Sequence, residues 1–126
     1  MEQKILIVDD EAHIRMLIEQ TLEELEDVGV EFLTAENGET ALEIIQDEKP
    51  MLVFLDVMMP KMNGMEVCRR VKKELGLEDV FIVLLTAKGQ ELDRQRGQEV
   101  GADVYMTKPF DPEVLLKKAK EVLGIE

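Results

Sequence analysis

The sequence lacks tryptophan and has one tyrosine, four prolines and one cysteine in 126 residues. A lone cysteine, Cys68, excludes an internal disulfide and fits a reducing compartment, so a cytoplasmic location is expected. No apolar stretch approaches the roughly 20 residues that span a bilayer. The opening MEQKILIVDDE has no basic segment followed by a long apolar one, so no secretory leader is expected. Basic residues are scarce, with 15 Lys and Arg against 28 Asp and Glu and a net charge of -13. That excludes the basic footprint a nucleic-acid binder needs and disfavours anionic membrane surfaces. It favours cations, metal ions among them, and partners with basic patches. Neither G-x-G-x-x-G nor a P-loop is present, which removes dinucleotide and P-loop nucleotide binding. No linker, repeat or low-complexity segment divides the chain. One domain over residues 1–126 is expected, long enough to bury a core without staples.

What is present is a series of short apolar runs. Ile5–Val8, Met51–Leu55 and Phe81–Leu85 are continuous and rich in β-branched residues, as strands buried on both faces require. Phe32-Leu33 and Val104–Met106 are shorter and suit sheet edges. Helical spacing lies between them. Ile14, Leu17, Ile18, Leu22 and Leu25 predict one helix, and Ala41, Leu42, Ile44 and Ile45 a second after Asn37-Gly38. Met65, Val67, Val71 and Leu75 predict a third, with Arg69, Arg70, Lys72 and Lys73 outward. A polar fourth helix is expected over 92–100. A fifth starts at Pro112, runs through Val114, Leu115, Ala119, Val122 and Leu123, and stops at Gly124. Five βα units predict an α/β fold: a flavodoxin-like, doubly wound parallel sheet of five strands in order 2-1-3-4-5, with helices on both faces.

In such a sheet function gathers at the carboxyl ends of the strands. Strand one ends in Asp9-Asp10, strand three in Asp56, strand four in Thr86-Ala87 and strand five in Lys108-Pro109. Three acids and one lysine leave an excess of negative charge. Two carboxylates about 4 Å apart repel by roughly 4 kcal/mol at an effective dielectric near 20. A divalent cation would neutralise the set. The ligands are hard oxygens with no His or Cys cluster, so Mg²⁺ fits best, with Mn²⁺ or Ca²⁺ as lesser options. Mg²⁺ uses few carboxylates, which leaves one free as a nucleophile. Phosphoryl transfer onto Asp56 is the expected chemistry, with Thr86 and Lys108 holding the phosphoryl oxygens.

The segments VDDE (Val8–Glu11), AENGETAL (Ala35–Leu42), LDVMMPKMNG (Leu55–Gly64), LTAK (Leu85–Lys88) and GADVYMTKPF (Gly101–Phe110) occur in this order along the whole chain. Together they resemble the receiver domain of response regulators in two-component signalling, in a single-domain, chemotaxis-regulator-like form without an output domain. The resemblance implies that Asp56 is the phospho-acceptor. It implies that Asp10 binds the metal directly, that Asp9 helps hold it, and that the Met58 backbone carbonyl completes its shell. Thr86, Lys108 and the Ala87 backbone N–H match the phosphoryl contacts. Lys108-Pro109 matches a cis bond. Tyr105 matches an aromatic that swings inward as Thr86 moves. Met58 and Lys88 flank the route of attacking water and are expected to tune self-dephosphorylation.

The implied protein is a signalling switch that catalyses only its own phosphoryl transfer and dephosphorylation. Its implied partners are a sensor histidine kinase or a histidine phosphotransfer protein, and an unidentified downstream protein bound through the face of the fourth helix, fifth strand and fifth helix. It is expected as a monomer or a phosphorylation-linked homodimer. The alternative is a receiver-like scaffold that works without phosphorylation. A haloacid-dehalogenase-type phosphatase would need an acid two places after the nucleophile, where Met58 stands. A flavin carrier is disfavoured by Asp9-Asp10-Glu11, which would repel its phosphate. His13 is expected on the surface, Cys68 in the packing, the methionines in packing or a contact surface, and the basic residues of the third helix in solvent.

Overall fold

The computed structural model describes residues 3–87, 96 and 98–125. Strands β1 (Gln3–Val8), β2 (Val30–Ala35), β3 (Leu52–Asp56), β4 (Phe81–Ala87) and β5 (Val104–Lys108) pair in parallel in the order β2-β1-β3-β4-β5. This is the sheet expected from the sequence. The continuous apolar runs are the inner strands, because alternate residues enter two different cores. Leu6, Val8, Val53, Leu55, Ile82 and Leu84 face α2 (Gly38–Glu48) and α3 (Gly64–Arg69). Ile5, Ile7, Leu52, Phe54, Val83 and Leu85 face α1 (Ala12–Thr21) and the C-terminal helix (Pro112–Leu123). Each large side chain so buried contributes roughly 1.5–3 kcal/mol.

Local signals set where the helices begin. Asn37, Asn63 and Asp111 accept hydrogen bonds from the N–H groups of Thr40, Glu66 and Glu113, each at 2.9 Å. Each such cap stabilises by about 1 kcal/mol. Asn37 and Asn63 are each followed by glycine, and both glycines are needed for close approach. A Cβ on Gly38 would overlap the Met62 carbonyl, and one on Gly64 would overlap the Asp56 carbonyl. The first turn of α2 and the start of α3 thereby press against the chain leaving β3.

The helices depart from expectation in three respects. The first ends at Thr21, with Leu22 buried at the junction and Leu25 buried from a following 3-10 turn (Glu23–Val28), which the 3.6-residue pattern did not distinguish from continuing helix. The third gives way to a π-helical turn at Arg70–Glu74, where the Leu75 N–H reaches Arg70 O at 2.8 Å. The extra residue in that turn rotates the face. Leu75 becomes 41% exposed, and Lys72 points inward instead of out. Leu17 and Val114, placed on apolar faces by spacing, are 44% and 51% exposed. The fourth predicted helix lies mostly outside the described residues. Its end is described: Val100 N–H bonds to Arg96 O at 3.0 Å.

Candidate functional site

The carboxyl ends of β1 and β3 adjoin because those strands are neighbours in the sheet. Asp9 follows β1 and is fully buried. Its N–H continues the ladder to Ala35 O at 3.2 Å. Its carboxylate accepts twice, from the Glu11 N–H at 3.0 Å and from Lys108 Nζ at 2.8 Å. Asp56 closes β3 and is 5% exposed, with Oδ1 3.0 Å from the same Lys108 Nζ. Asp10 is exposed on the β1–α1 turn. One carboxylate oxygen from each of Asp9, Asp10 and Asp56 lies within 4.8 Å of the others.

Burial pushes the Asp56 carboxyl up to about 6, reinforced by the charges of Asp9 and Asp10, while Lys108 pulls the other way. Lys108 is half-buried, which works against its charge. Hydrogen bonds to Asp9 and Asp56 outweigh this and raise its pKa above the ordinary lysine value. Three carboxylates facing one ammonium leave a local charge of -2. A group of hard oxygen donors with that charge fits one small divalent cation, since such ions take carboxylate oxygens at about 2.1 Å.

Thr86 is 1% exposed near the end of β4, opposite Thr107 in the ladder. Ala87 is opposite Lys108, so its backbone is one rung from the lysine. The Lys108–Pro109 peptide is cis. Met58 leaves the site loop with a side chain 72% exposed. Lys61 in that loop takes φ +68, and the Met62 N–H bonds Pro60 O at 2.8 Å, closing a tight turn before α3. Tyr105 stands three residues before Lys108, about 10 Å along β5, partly buried against the α2–α3 core. With Pro109, Phe110 and Val114 it lines a cavity of about 360 Å³. Lys88 lies outside the described residues.

His13 is on the surface beside Glu11 at 3.3 Å. Cys68 is buried with its sulfur 3.6 Å from Val100 O, and burial pushes its thiol up to about 12. Two participants escaped the sequence reading. Arg15 donates to the Asp9 carbonyl, and Gly38 lets α2 abut the loop after Asp56. Arg15 had left a signal, because it is the only Lys or Arg between Lys4 and Lys49.

The family profile described as "Response regulator receiver domain" matches residues 5–120. The chain belongs to the response-regulator receiver family. Among similar receiver-bearing proteins are the phosphate regulon transcriptional regulatory protein PhoB of Pseudomonas aeruginosa and the alkaline phosphatase synthesis transcriptional regulatory protein PhoP of Bacillus subtilis. PhoB is 49% identical over 119 residues, covering 94% of this chain and 51% of PhoB. PhoP is 44% identical over 123 residues, covering 98% of this chain and 49% of PhoP. The receiver chain therefore spans about half the length of the curated relatives it matches.

Solved receivers share the fold. The BeF3-activated DrrB receiver domain, DrrB being a Thermotoga maritima protein, superposes with a TM-score of 0.84 at 35% identity, covering 98% of this chain and 99% of that one. Chemotaxis protein CheY4 of Vibrio cholerae superposes with a TM-score of 0.82 at 35% identity, covering 97% and 99%. No helix among the described residues is long and apolar enough to cross a membrane.

Proposed function

We propose that this receiver is a phosphorylation-controlled switch in which Asp56 accepts a phosphoryl group from the phosphohistidine of a partner histidine kinase or phosphotransfer protein. The observation that supports it is the Asp56 carboxylate, buried at the end of β3, 3.0 Å from Lys108 and grouped with Asp9 and Asp10. An Asp56 oxygen attacks phosphorus. The bond from phosphorus to the histidine nitrogen breaks, and its electron pair stays on the ring nitrogen. Lys108 follows the phosphoryl oxygens as it gives up its contact with Asp56, while the Thr86 hydroxyl and the Ala87 N–H donate to them. Asp9, Asp10, Asp56 and the Met58 carbonyl would hold Mg²⁺, or Mn²⁺ in its place, which neutralises negative charge on the transferring group.

Loss of the phosphoryl group reverses the bond change. Water attacks phosphorus, and the electron pair returns to the Asp56 carboxylate. We assign Met58 and Lys88 the tuning of that step, so substituting them changes the lifetime of the phosphorylated form and leaves the fold intact. The output is a change in the face that contains β5 and the C-terminal helix, reported by Thr86 and Tyr105. Phosphorylation shifts an equilibrium between two arrangements of that face by no more than its differential interaction with them. A downstream protein, or a second copy in a phosphorylation-linked dimer, reads the change. Sedimentation with and without beryllofluoride separates the two, since a constant monomer mass removes the dimer. The relatives named as transcriptional regulators are about twice as long, and we assign to this chain only the receiver's part in such a protein.

The test is intact mass after incubation with acetyl phosphate, with Mg²⁺ and with EDTA, for the wild type and Asp56→Asn. A Mg²⁺-dependent gain of about one phosphoryl group, absent from the variant, supports the proposal. No gain, where a known receiver is modified, moves the reading to a phosphorylation-independent scaffold.

A further inference from the structure

The acidic site has three carboxylates, and the structure fixes two of them visibly. Asp9 is held by the Glu11 N–H and by Lys108, and Asp56 by Lys108. Asp10 is the exposed member, and its carboxylate has no hydrogen-bond or ion-pair partner among the described residues. Its direction must therefore come from the backbone that carries it.

That backbone is clamped by an unexpected residue. Between Lys4 and Lys49 the chain has fourteen Asp or Glu residues and a single Lys or Arg, Arg15. A lone cation on an acidic helix would ordinarily pair with a carboxylate one turn away on the surface, and Glu11 and Glu19 stand at those positions. Instead the Arg15 side chain is only 16% exposed, and its Nη1 donates to the Asp9 carbonyl oxygen at 2.6 Å. Nη2 lies 3.7 Å from Glu36 Oε1, on the β2–α2 connection.

The Asp9 carbonyl needs this donor. It lies past the end of β1 and before the first carbonyl of α1, since the Ile14 and Arg15 N–H groups both bond to Glu11 O. Among the described residues no backbone N–H reaches it. The same peptide plane contains the Asp9 carbonyl and the Asp10 N–H. Fixing the oxygen fixes the plane from which Asp10 departs. The connection bearing Glu36 also leads to Gly38, which abuts the Met62 carbonyl in the loop after Asp56. One corner thus steadies the approach to Asp10 and the exit from Asp56.

We propose that Arg15 is a positioning residue that aims Asp10 at a divalent cation by clamping the Asp9–Asp10 peptide, with Glu36 steadying the guanidinium. The inference rests on the acidic-site reading above. Groups that orient metal ligands in this way change affinity by about tenfold or more when removed. A lysine has three donors on a single nitrogen but lacks the planar fork that sets Nη1 on Asp9 and Nη2 toward Glu36.

The test titrates Mn²⁺ into wild type, Arg15→Ala, Arg15→Lys and Glu36→Gln, with free Mn²⁺ read by electron paramagnetic resonance well below each apo unfolding midpoint. Circular dichroism in EDTA establishes that each variant is folded. The expected result is about a tenfold loss of Mn²⁺ affinity in Arg15→Ala, partial recovery in Arg15→Lys and a change within about twofold in Glu36→Gln. Wild-type affinity in folded Arg15→Ala overturns the inference. If Arg15→Ala does not fold, Arg15→Lys decides: a weaker Mn²⁺ site in a folded variant supports it, and equal affinity overturns it. Wild type that binds no Mn²⁺ overturns the acidic-site reading itself, and this inference with it. Wild type that binds while Arg15→Ala binds equally well overturns this inference alone.

Discussion

Two lysines are drawn into the body of the protein, and they are set in opposite ways. Lys72, 8% exposed, meets Asp103 at 2.8 Å, the Val80 carbonyl at 2.6 Å and the Glu78 carbonyl at 3.3 Å. An ammonium has three donors, and here each has an acceptor. The same Asp103 oxygen also accepts from the Ile82 N–H at 2.9 Å. The charges cancel and the geometry is closed, so this pair fastens the π-helical turn to the start of β5. Lys108, 23% exposed, meets two carboxylates with a third beside them. Burial raises the Asp56 pKa, and the excess negative charge around the lysine adds to the rise. A balanced buried pair needs nothing further to be stable. An unbalanced one is costly as it stands and calls for a cation or a change in the charged groups.

The sharpest way to break this contrast is to remove each lysine and measure the chemistry. Lys108→Met should slow labelling by acetyl phosphate about 10²–10³-fold, the usual effect of losing a group that stabilises transferring charge. Lys72→Met should leave the rate within about threefold. Equal losses in the two variants would erase the distinction.

The next effect is on stability and runs the other way. Lys72→Met strands Asp103 and should lower urea stability by about 2–4 kcal/mol, below the top of the range for breaking a buried pair because Asp103 is partly exposed. A smaller and opposite change is expected at Asp56. In EDTA at pH 7, Asp56→Asn should raise stability by about 1–2 kcal/mol, once water reaching the site has screened part of the burial cost. The sign follows from the raised pKa. The folded protein keeps the proton below about pH 6, whereas the unfolded chain keeps it only below the ordinary 3.8. Ionised Asp56 therefore penalises the fold above pH 6. The penalty shrinks between pH 6 and 3.8 and is absent below. The advantage of Asn should narrow from pH 7 to pH 5, and a gap that widened would contradict the burial account.

A third lysine sets the baseline. Lys49 ends α2 with φ +46, a left-handed conformation that costs a side chain about 1 kcal/mol. Lys49→Gly should add about 0.5–1 kcal/mol, read as a small rise in thermal midpoint, with no effect on labelling.

The strands and their order were legible because a strand buried on both faces must be continuously apolar, and Ile5–Val8, Leu52–Leu55 and Ile82–Leu85 are. The acids were legible because they interrupt those runs at their carboxyl ends. What escaped depends on local departures from one helical period. The π-helical turn rotates Lys72 inward and Leu75 outward, and no spacing rule announces it. Leu17 and Val114 fit the apolar spacing of their helices but are left exposed in the fold. Gly38 acts through its approach to Met62, distant in sequence, and Arg15 turns inward to the nearby Asp9 carbonyl where helical spacing alone would pair it with an acid on the surface.

The sheet also has a gradient of stiffness across its width. Every residue of β3 is buried, whereas β5 pairs on one side only and is partly exposed along its length. A close-packed strand with neighbours on all sides has nowhere to go. Room to move is therefore found at the sheet's two edges, β2 and β5, and of these β5 carries Lys108 of the acidic site.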